Sequence, residues 1–294
     1  AGLALAGCVE PPVELVPGLK TFEGARIIDG SGNTIENGVL VVRDGRVEAI
    51  GTSDSVSVPA GAEQFDLTGR TIIPGFINTH GHVGATRGLE SDPELYTRSN
   101  LLHQLGLYAR YGVTTVFSLG GDDQAGFTLR DEQNLSLDRA RLFVAGPVVN
   151  GATAEDVEPL VDEIAGMGAD MIKIRVDDNL GSTTKMPEEA WRAVIERAHE
   201  HGLRVAAHVF YLDDAKKLVE ADVDFLAHSV RDADIDQELI DGMLERDVCL
   251  SPTLMREVST FVYESRPDFF DDPFFLRATD PDVITGLEDP ARQA

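Results

Sequence analysis

The sequence predicts an α/β protein: a parallel sheet with helices outside it, either doubly wound or closed as a barrel, behind a small β-rich segment. Two observations carry this. After Thr71, short apolar runs alternate with stretches whose apolar residues recur at i, i+3, i+4 and i+7, as repeated βα units require. Between Phe22 and Asp66 the runs are shorter, alternate in polarity and are broken by Gly and Asp-Gly. With 294 residues, 43% of them hydrophobic, the chain can bury one large domain or a large and a small one, and intrinsic disorder is excluded.

Three segments follow in order. Residues 1–18 begin AGLALAGC, and Leu5-Ala6-Gly7-Cys8 resembles a bacterial lipobox, although a chance small-residue tetrapeptide reads the same way. On the lipobox reading Cys8 carries the lipid, Val9 to Gly18 is a tether, and the protein is an exported periplasmic or cell-surface bacterial lipoprotein. Residues 19–70 give a small β domain from ARIIDG, GVLVVRDGRVEAIG and QFDLTG, with turns at Gly30-Ser31-Gly32 and Asp44-Gly45. No helix follows Gly30-x-Gly32, so it is a turn and not a dinucleotide loop.

Residues 71–294 carry the βα units. Strands are expected at Ile72–Asn78, Thr114–Leu119, Arg141–Ala145, Met171–Val176, Arg204–Val209, Phe225–Ser229 and Val248–Leu254. Between them lie the apolar stripes Val157/Leu160/Val161/Ile164, Trp191/Val194/Ile195/Ala198 and Leu239/Ile240/Met243/Leu244. Gly168 and Gly202 stand where a helix C′ residue belongs. Nothing from Glu257 to Ala294 reads as an eighth strand, so a barrel would be truncated, with an open seam.

Lys and Arg number 25 against 51 Asp and Glu, a net charge of −26 that repels polyanions and excludes nucleic acid as a partner. Two cysteines cannot build a disulfide framework or a thiolate metal site. No apolar run reaches the ~18–20 residues that span a bilayer, leaving the N-terminal anchor as the one expected membrane contact.

The chemistry concentrates at strand ends. In IIPGFINTHGHV, His80 and His82 lie two apart on a strand, so both imidazoles can reach one metal ion, with Gly81 leaving room above it. His199-Glu200-His201 has similar letters on a helix end, where residues two apart splay by about 200° and cannot share a metal. In MIKIRV, Ile172, Ile174 and Val176 suit packing against helices, which turns Met171, Lys173 and Arg175 inward. A buried ammonium at Lys173 must be neutralised, paired or modified: an internal ion pair and a carbamate formed with carbon dioxide are both open. His208 closes RVAAH and His228 closes FLAH, with Ala206 and Leu226 on their inward faces. Four histidines at the C-terminal ends of parallel strands mark the end where barrel active sites are built.

Taken in order, the β-rich start, PGFINTHGH, the strand-four Lys and the two later His resemble the amidohydrolase superfamily, in the branch of imidazolonepropionase-related and Xaa-Pro dipeptidase-like enzymes, over about residues 20–255. The resemblance implies a TIM-type (β/α)8 barrel lacking its last strand or strands, with a small N-terminal β-sandwich-like domain. It implies two divalent metal ions, zinc by default: His80 and His82 on the first, His208 and His228 on the second, carboxylated Lys173 bridging. The family's remaining ligand and general base, an Asp ending strand eight, has no counterpart here, so no catalytic residue is named; Asp280 lacks a leading apolar strand. Relatives carry a Tyr two residues after the strand-five His, where Phe210 stands with Tyr211 next. Tyr211, Arg231 and Arg256 are the candidate substrate contacts, with surface solvation the other role open to the arginines.

The expected function is hydrolysis of an amide or peptide-like C–N bond in a small molecule by a metal-bound hydroxide. A lactone or phosphotriester hydrolase using the same centre, and an inactive fragment or noncatalytic binding protein, are the alternatives.

Overall fold

Alternation and turn chemistry build the N-terminal sheet. The computed structural model describes residues 14–132 and 138–293, so Cys8 lies outside the described residues. Up to Gly75 they form one unit with β1 (Leu19–Ile28), β2 (Thr34–Arg43), β3 (Arg46–Thr52), β4 (Glu63–Asp66) and β5 (Thr71–Ile72), ordered β3-β2-β1-β4 with β5 also on β1. Asp44 and Gly45 close the β2–β3 hairpin with φ of 49° and 77°, the left-handed pair that a two-residue turn matching strand twist needs. Leu19, Val39, Val41 and Ala62 form its core, with Val56 and Val58 from the following loop packed on it. Among the described residues this is one sheet covered by a loop, not the two facing sheets of the expected sandwich-like domain.

The strand expected at Ile72–Asn78 is two strands. Thr71–Ile72 pairs with Arg26–Ile27, and Pro74-Gly75 interrupts the ladder because proline has no N–H to give it. The second unit starts at Phe76. It opens with β6 (Phe76–Gly81) and a small hairpin, β7 (Thr86–Arg87) with β8 (Glu90–Ser91). The βα repeats follow: α1 (Arg98–Arg110), β9 (Val113–Ser118), α2 (Gln124–Asp131), β10 (Arg141–Val144), α3 (Ala154–Gly166), β11 (Ile172–Val176), α4 (Glu188–Glu200), β12 (Val205–Val209), α5 (Leu212–Glu220), β13 (Phe225–Ala227), α6 (Gln237–Glu245) and β14 (Cys249–Ser251). After these come α7 (Leu254–Ser259), α8 (Pro281–Leu287) and α9 (Pro290–Gln293). Asp280 is the N-cap of α8, accepting from the Asp282 N–H, as its loop position implied.

The parallel ladders β6-β9-β10 and β11-β12-β13-β14 are joined by the parallel bridge Val149–Ile174. Seven strands therefore follow one another in chain order with helices between them, the TIM-type arrangement. Among the described residues no ladder joins β14 back to β6; across that gap the Thr79 hydroxyl donates to Ser251 Oγ at 3.1 Å.

The core has two layers. Val116, Ile172, Ile174, Val176, Trp191 and Val205 belong to the large helix-side cluster, while Leu119, Ala145, Ala206 and Ala227 fill the interior with Phe117 and Met171. Trp191, Val194, Ile195 and Ala198 are all buried, as the α4 pattern predicts. On α3, Leu160 is exposed while Val157, Val161 and Ile164 are buried; on α6 only Leu239 is buried and Leu244 lies open. Met167 and His201 end their helices in right-handed conformation, and Gly168 and Gly202 follow at φ of 80° and 70°, closing α3 and α4 as expected.

Candidate metal centre

Parallel pairing brings the C-terminal ends of β6, β11, β12 and β13 to one mouth. His80 lies on β6 and His82 just beyond it, with ring centroids 5.3 Å apart. The His228 ring lies 4.6 Å from that of His80 and 4.3 Å from that of His208. Lys173, 3% exposed on β11, exerts its charge on all four rings. Gly120 links two of these groups: its carbonyl accepts from His82 Nδ1 at 3.0 Å, and a Cβ built there would lie 3.3 Å from Lys173 Cγ.

Two details of the sequence reading are corrected. A Cβ at Gly81 would press on Val116 Cγ1 at 2.9 Å, so this glycine permits close packing on β9 rather than leaving space above a metal. On β13 it is Ala227, not Leu226, that joins Ala206 in the interior, while Leu226 packs on the helix side. Simple alternation would then turn His228 away. Its backbone instead adopts φ of 75°, a left-handed conformation that a non-glycine residue holds only under constraint, and this change of direction accompanies its approach to His80 and His208.

Burial sets the protonation. It pushes His80 down to about 2, with the Lys173 charge adding to the effect. His228 falls to about 3 through burial and the neighbouring His208, and His208 to about 4 through burial, against the opposing Asp177 hydrogen bond. His82 is lowered by burial, with the Gly120 carbonyl opposing. All four are neutral imidazoles near pH 7, the form that binds metal. Lys173 is brought down to about 7 by burial and by Arg175, so near neutrality a large share of its amine is uncharged.

The donor set fits a borderline divalent metal. Among the described residues Lys173 Nζ and His80 Nδ1 are buried with no hydrogen-bond partner and Lys173 forms no ion pair, which leaves two polar atoms that burial penalises unless something binds them. His82 and His228 engage Nδ1, with Gly120 O and with Thr253 Oγ1 at 2.7 Å, leaving Nε2. His208 engages Nε2, with Asp177 Oδ2 at 2.8 Å, leaving Nδ1. As the side chains stand, no group of three or more His, Cys, Asp or Glu among the described residues is placed to hold a metal ion.

The candidate substrate contacts lie around this mouth with partners of their own. The Tyr211 hydroxyl donates to Asp178 Oδ1 at 2.6 Å, and Lys185 Nζ sits 4.3 Å from the Tyr211 ring. Arg231 and Arg256 both bond Glu257 Oε1, at 3.2 and 3.3 Å, and Arg231 stacks on Phe210 at 4.7 Å. A substrate carboxylate would have to compete with Glu257 for either guanidinium. His199 and His201 point to different carboxylates, Asp224 at 3.0 Å and Asp162 at 2.7 Å, and share nothing. Asp177 and Asp122 are not among the candidate site residues named from the sequence, where their segments read equally as loops on the catalytic face and as ordinary turns. Asp177 touches the centre through His208, and Asp122 is a buried brace accepting from Tyr96 Oη, Ala145 N–H and Gly146 N–H. The signal for Asp177 was its place directly after β11, four residues from Lys173 on the mouth side.

Residues 71–265 match the amidohydrolase family. An uncharacterised protein of Mycobacterium bovis is 28% identical over 225 residues, which is 74% of this chain and 57% of that protein, so the chain spans little more than half the length of this relative. An enamidase of Eubacterium barkeri is 30% identical over 177 residues, 58% of this chain and 43% of the enzyme. Among solved structures, a Xaa-Pro dipeptidase with methionine bound in its active site superposes with a TM-score of 0.70 at 21% identity, over 92% of this chain and 72% of that one, a likeness of fold.

Proposed function

The chain belongs to the amidohydrolase family, and from that premise we propose a metal-dependent hydrolase that cleaves a C–N bond in a small amide or peptide-like substrate. One observation carries the reading: four neutral imidazoles and a buried lysine with no hydrogen-bond partner among the described residues meet at the end of a parallel barrel where βα loops form active sites. The enamidase relative supports a C–N bond as the target.

His80 and His82 would hold one divalent ion and His208 and His228 a second, with zinc suited to imidazole and carboxylate-type oxygen. Bound there, such ions supply the Lewis acidity that activates water and polarises a carbonyl at neutral pH. Lys173 would bridge them as a carbamate: its uncharged amine attacks carbon dioxide, a C–N bond forms and one proton leaves to solvent. Tyr211, Arg231 and Arg256 rim the substrate space. The Leu5-Ala6-Gly7-Cys8 motif supports lipid attachment at Cys8 and export to the periplasm or cell surface, which mass spectrometry of the native protein checks.

The test is turnover of acylated amino acids, dipeptides, cyclic amides, lactones and phosphotriesters by the full-length protein, after chelation and after zinc and bicarbonate are restored. Zinc-dependent release of amine supports the proposal. Turnover confined to lactones or phosphotriesters, or turnover indifferent to chelator, overturns it.

A further inference from the structure

One carboxylate at the mouth touches a histidine of the metal reading and is not itself used by it. Asp177 has a side chain 5% exposed, and its Oδ2 lies 2.8 Å from His208 Nε2. Two groups fix it. Arg175 donates to the same Oδ2 at 3.1 Å, and the Asn179 N–H donates to Oδ1 at 2.9 Å. Asn179 and Leu180 both take left-handed backbone, φ of 53° and 57°, so the chain turns back immediately behind the carboxylate.

A carboxylate can only accept, so the shared proton sits on His208 Nε2 and the ring's lone pair is on Nδ1. Metal-binding imidazoles behave this way when a carboxylate holds the opposite nitrogen: the tautomer is fixed, the ring cannot rotate freely, and its basicity rises. The other rings have weaker anchors, a backbone carbonyl for His82 and a hydroxyl for His228. We infer that Asp177 is the positioning residue for the second metal ion, holding His208 in the Nε2–H tautomer with Nδ1 as the metal-binding atom. Arg175 and Asn179 fix the carboxylate in turn. This rests on the metal reading above and adds to it a dependence of one of the two ions on a loop aspartate.

The experiment is zinc titration of the metal-free protein against a chromophoric chelator, on wild type, Asp177→Ala and Asp177→Asn, with the Tm of each metal-free protein recorded. Wild type should take up two equivalents. Asp177→Ala should weaken one equivalent by 10–100-fold and leave the other unchanged, the range measured for such outer partners. Asp177→Asn, whose amide oxygen still accepts from Nε2–H, should fall between the two; a merely structural role would not produce that order at constant Tm. If Asp177→Ala fails to fold, the Asn variant decides, and an affinity equal to wild type overturns the inference. Two equivalents lost together, or none affected, also overturns it. A wild type that takes up no zinc removes the metal reading first, and the inference falls with it.

Discussion

Asp122 shows how a single buried carboxylate is legible in folding energetics while its sequence context, Gly120-Gly121-Asp122-Asp123, reads equally as a turn and as a loop on the catalytic face. It is 2% exposed and accepts from Tyr96 Oη, Ala145 N–H and Gly146 N–H, so Asp122→Ala strands three donors and should cost about 1–3 kcal/mol at pH 7. Burial, opposed by those hydrogen bonds and by Ser118, raises its pKa from 3.8 to about 6. Between those values the folded protein holds a proton that the unfolded chain has released. The stabilisation is therefore complete below about pH 4 and lost as the pH rises through about 6, an effect on the order of 3 kcal/mol. The cost of Asp122→Ala should accordingly be larger at pH 4 than at pH 7, measured by urea unfolding of both proteins at each pH. Gly120 gives a second residue-scale expectation. At φ of 108°, with a built Cβ 2.6 Å from Val148 Cγ2, Gly120→Ala should lower stability and displace the carbonyl that anchors His82, read as a lower Tm and weaker zinc uptake.

At the scale of elements, what the sequence revealed depended on how many sides of each element are enclosed. The α4 stripe is fully buried, and Trp191→Ala should cost about 3–5 kcal/mol by chemical denaturation. The α6 stripe has the same spacing, yet Leu244 is 76% exposed, and Leu244→Glu should stay within about 0.5 kcal/mol of wild type. Periodicity reports which residues share a face; only neighbouring elements determine whether that face is covered. Strand existence, parallel order and the inward face of β11 were readable for the same reason, since both sides of those strands are packed. Their ends were not: β14 stops at Ser251, before Pro252, and β13 stops at Ala227, where the backbone of His228 reverses. The four histidines were proposed from strand-end position and Lys173 from its place on the inward face of β11. Asp177 was missed because a turn aspartate and a ligand-orienting one are the same letter, and only the 2.8 Å approach from another strand separates them.

At the scale of the whole second unit, the described residues leave a seam between β14 and β6. β6 ladders only with β9 and β14 only with β13 among the described residues, so each presents an unpaired edge. Phe76 and Ile77 on β6 are 60% and 63% exposed, and Leu250 on β14 is 40% exposed, an apolar margin beside open backbone donors and acceptors. Such edges pair with other chains, and the net charge of −26 opposes that pairing only through a repulsion that salt screens, with a Debye length of about 8 Å near 0.15 M. Association should therefore rise with ionic strength. Ile77→Lys places a charge on the edge while removing little buried surface, so its Tm should stay within about 2 °C of wild type by the usual scaling of small energy changes. Light scattering across a salt series should show the wild-type protein growing in mass as salt rises and the Ile77→Lys protein growing much less. Equal growth in both would place the sticky surface elsewhere. A large loss of Tm in the variant would show that Ile77 is covered in solution and that the seam is closed.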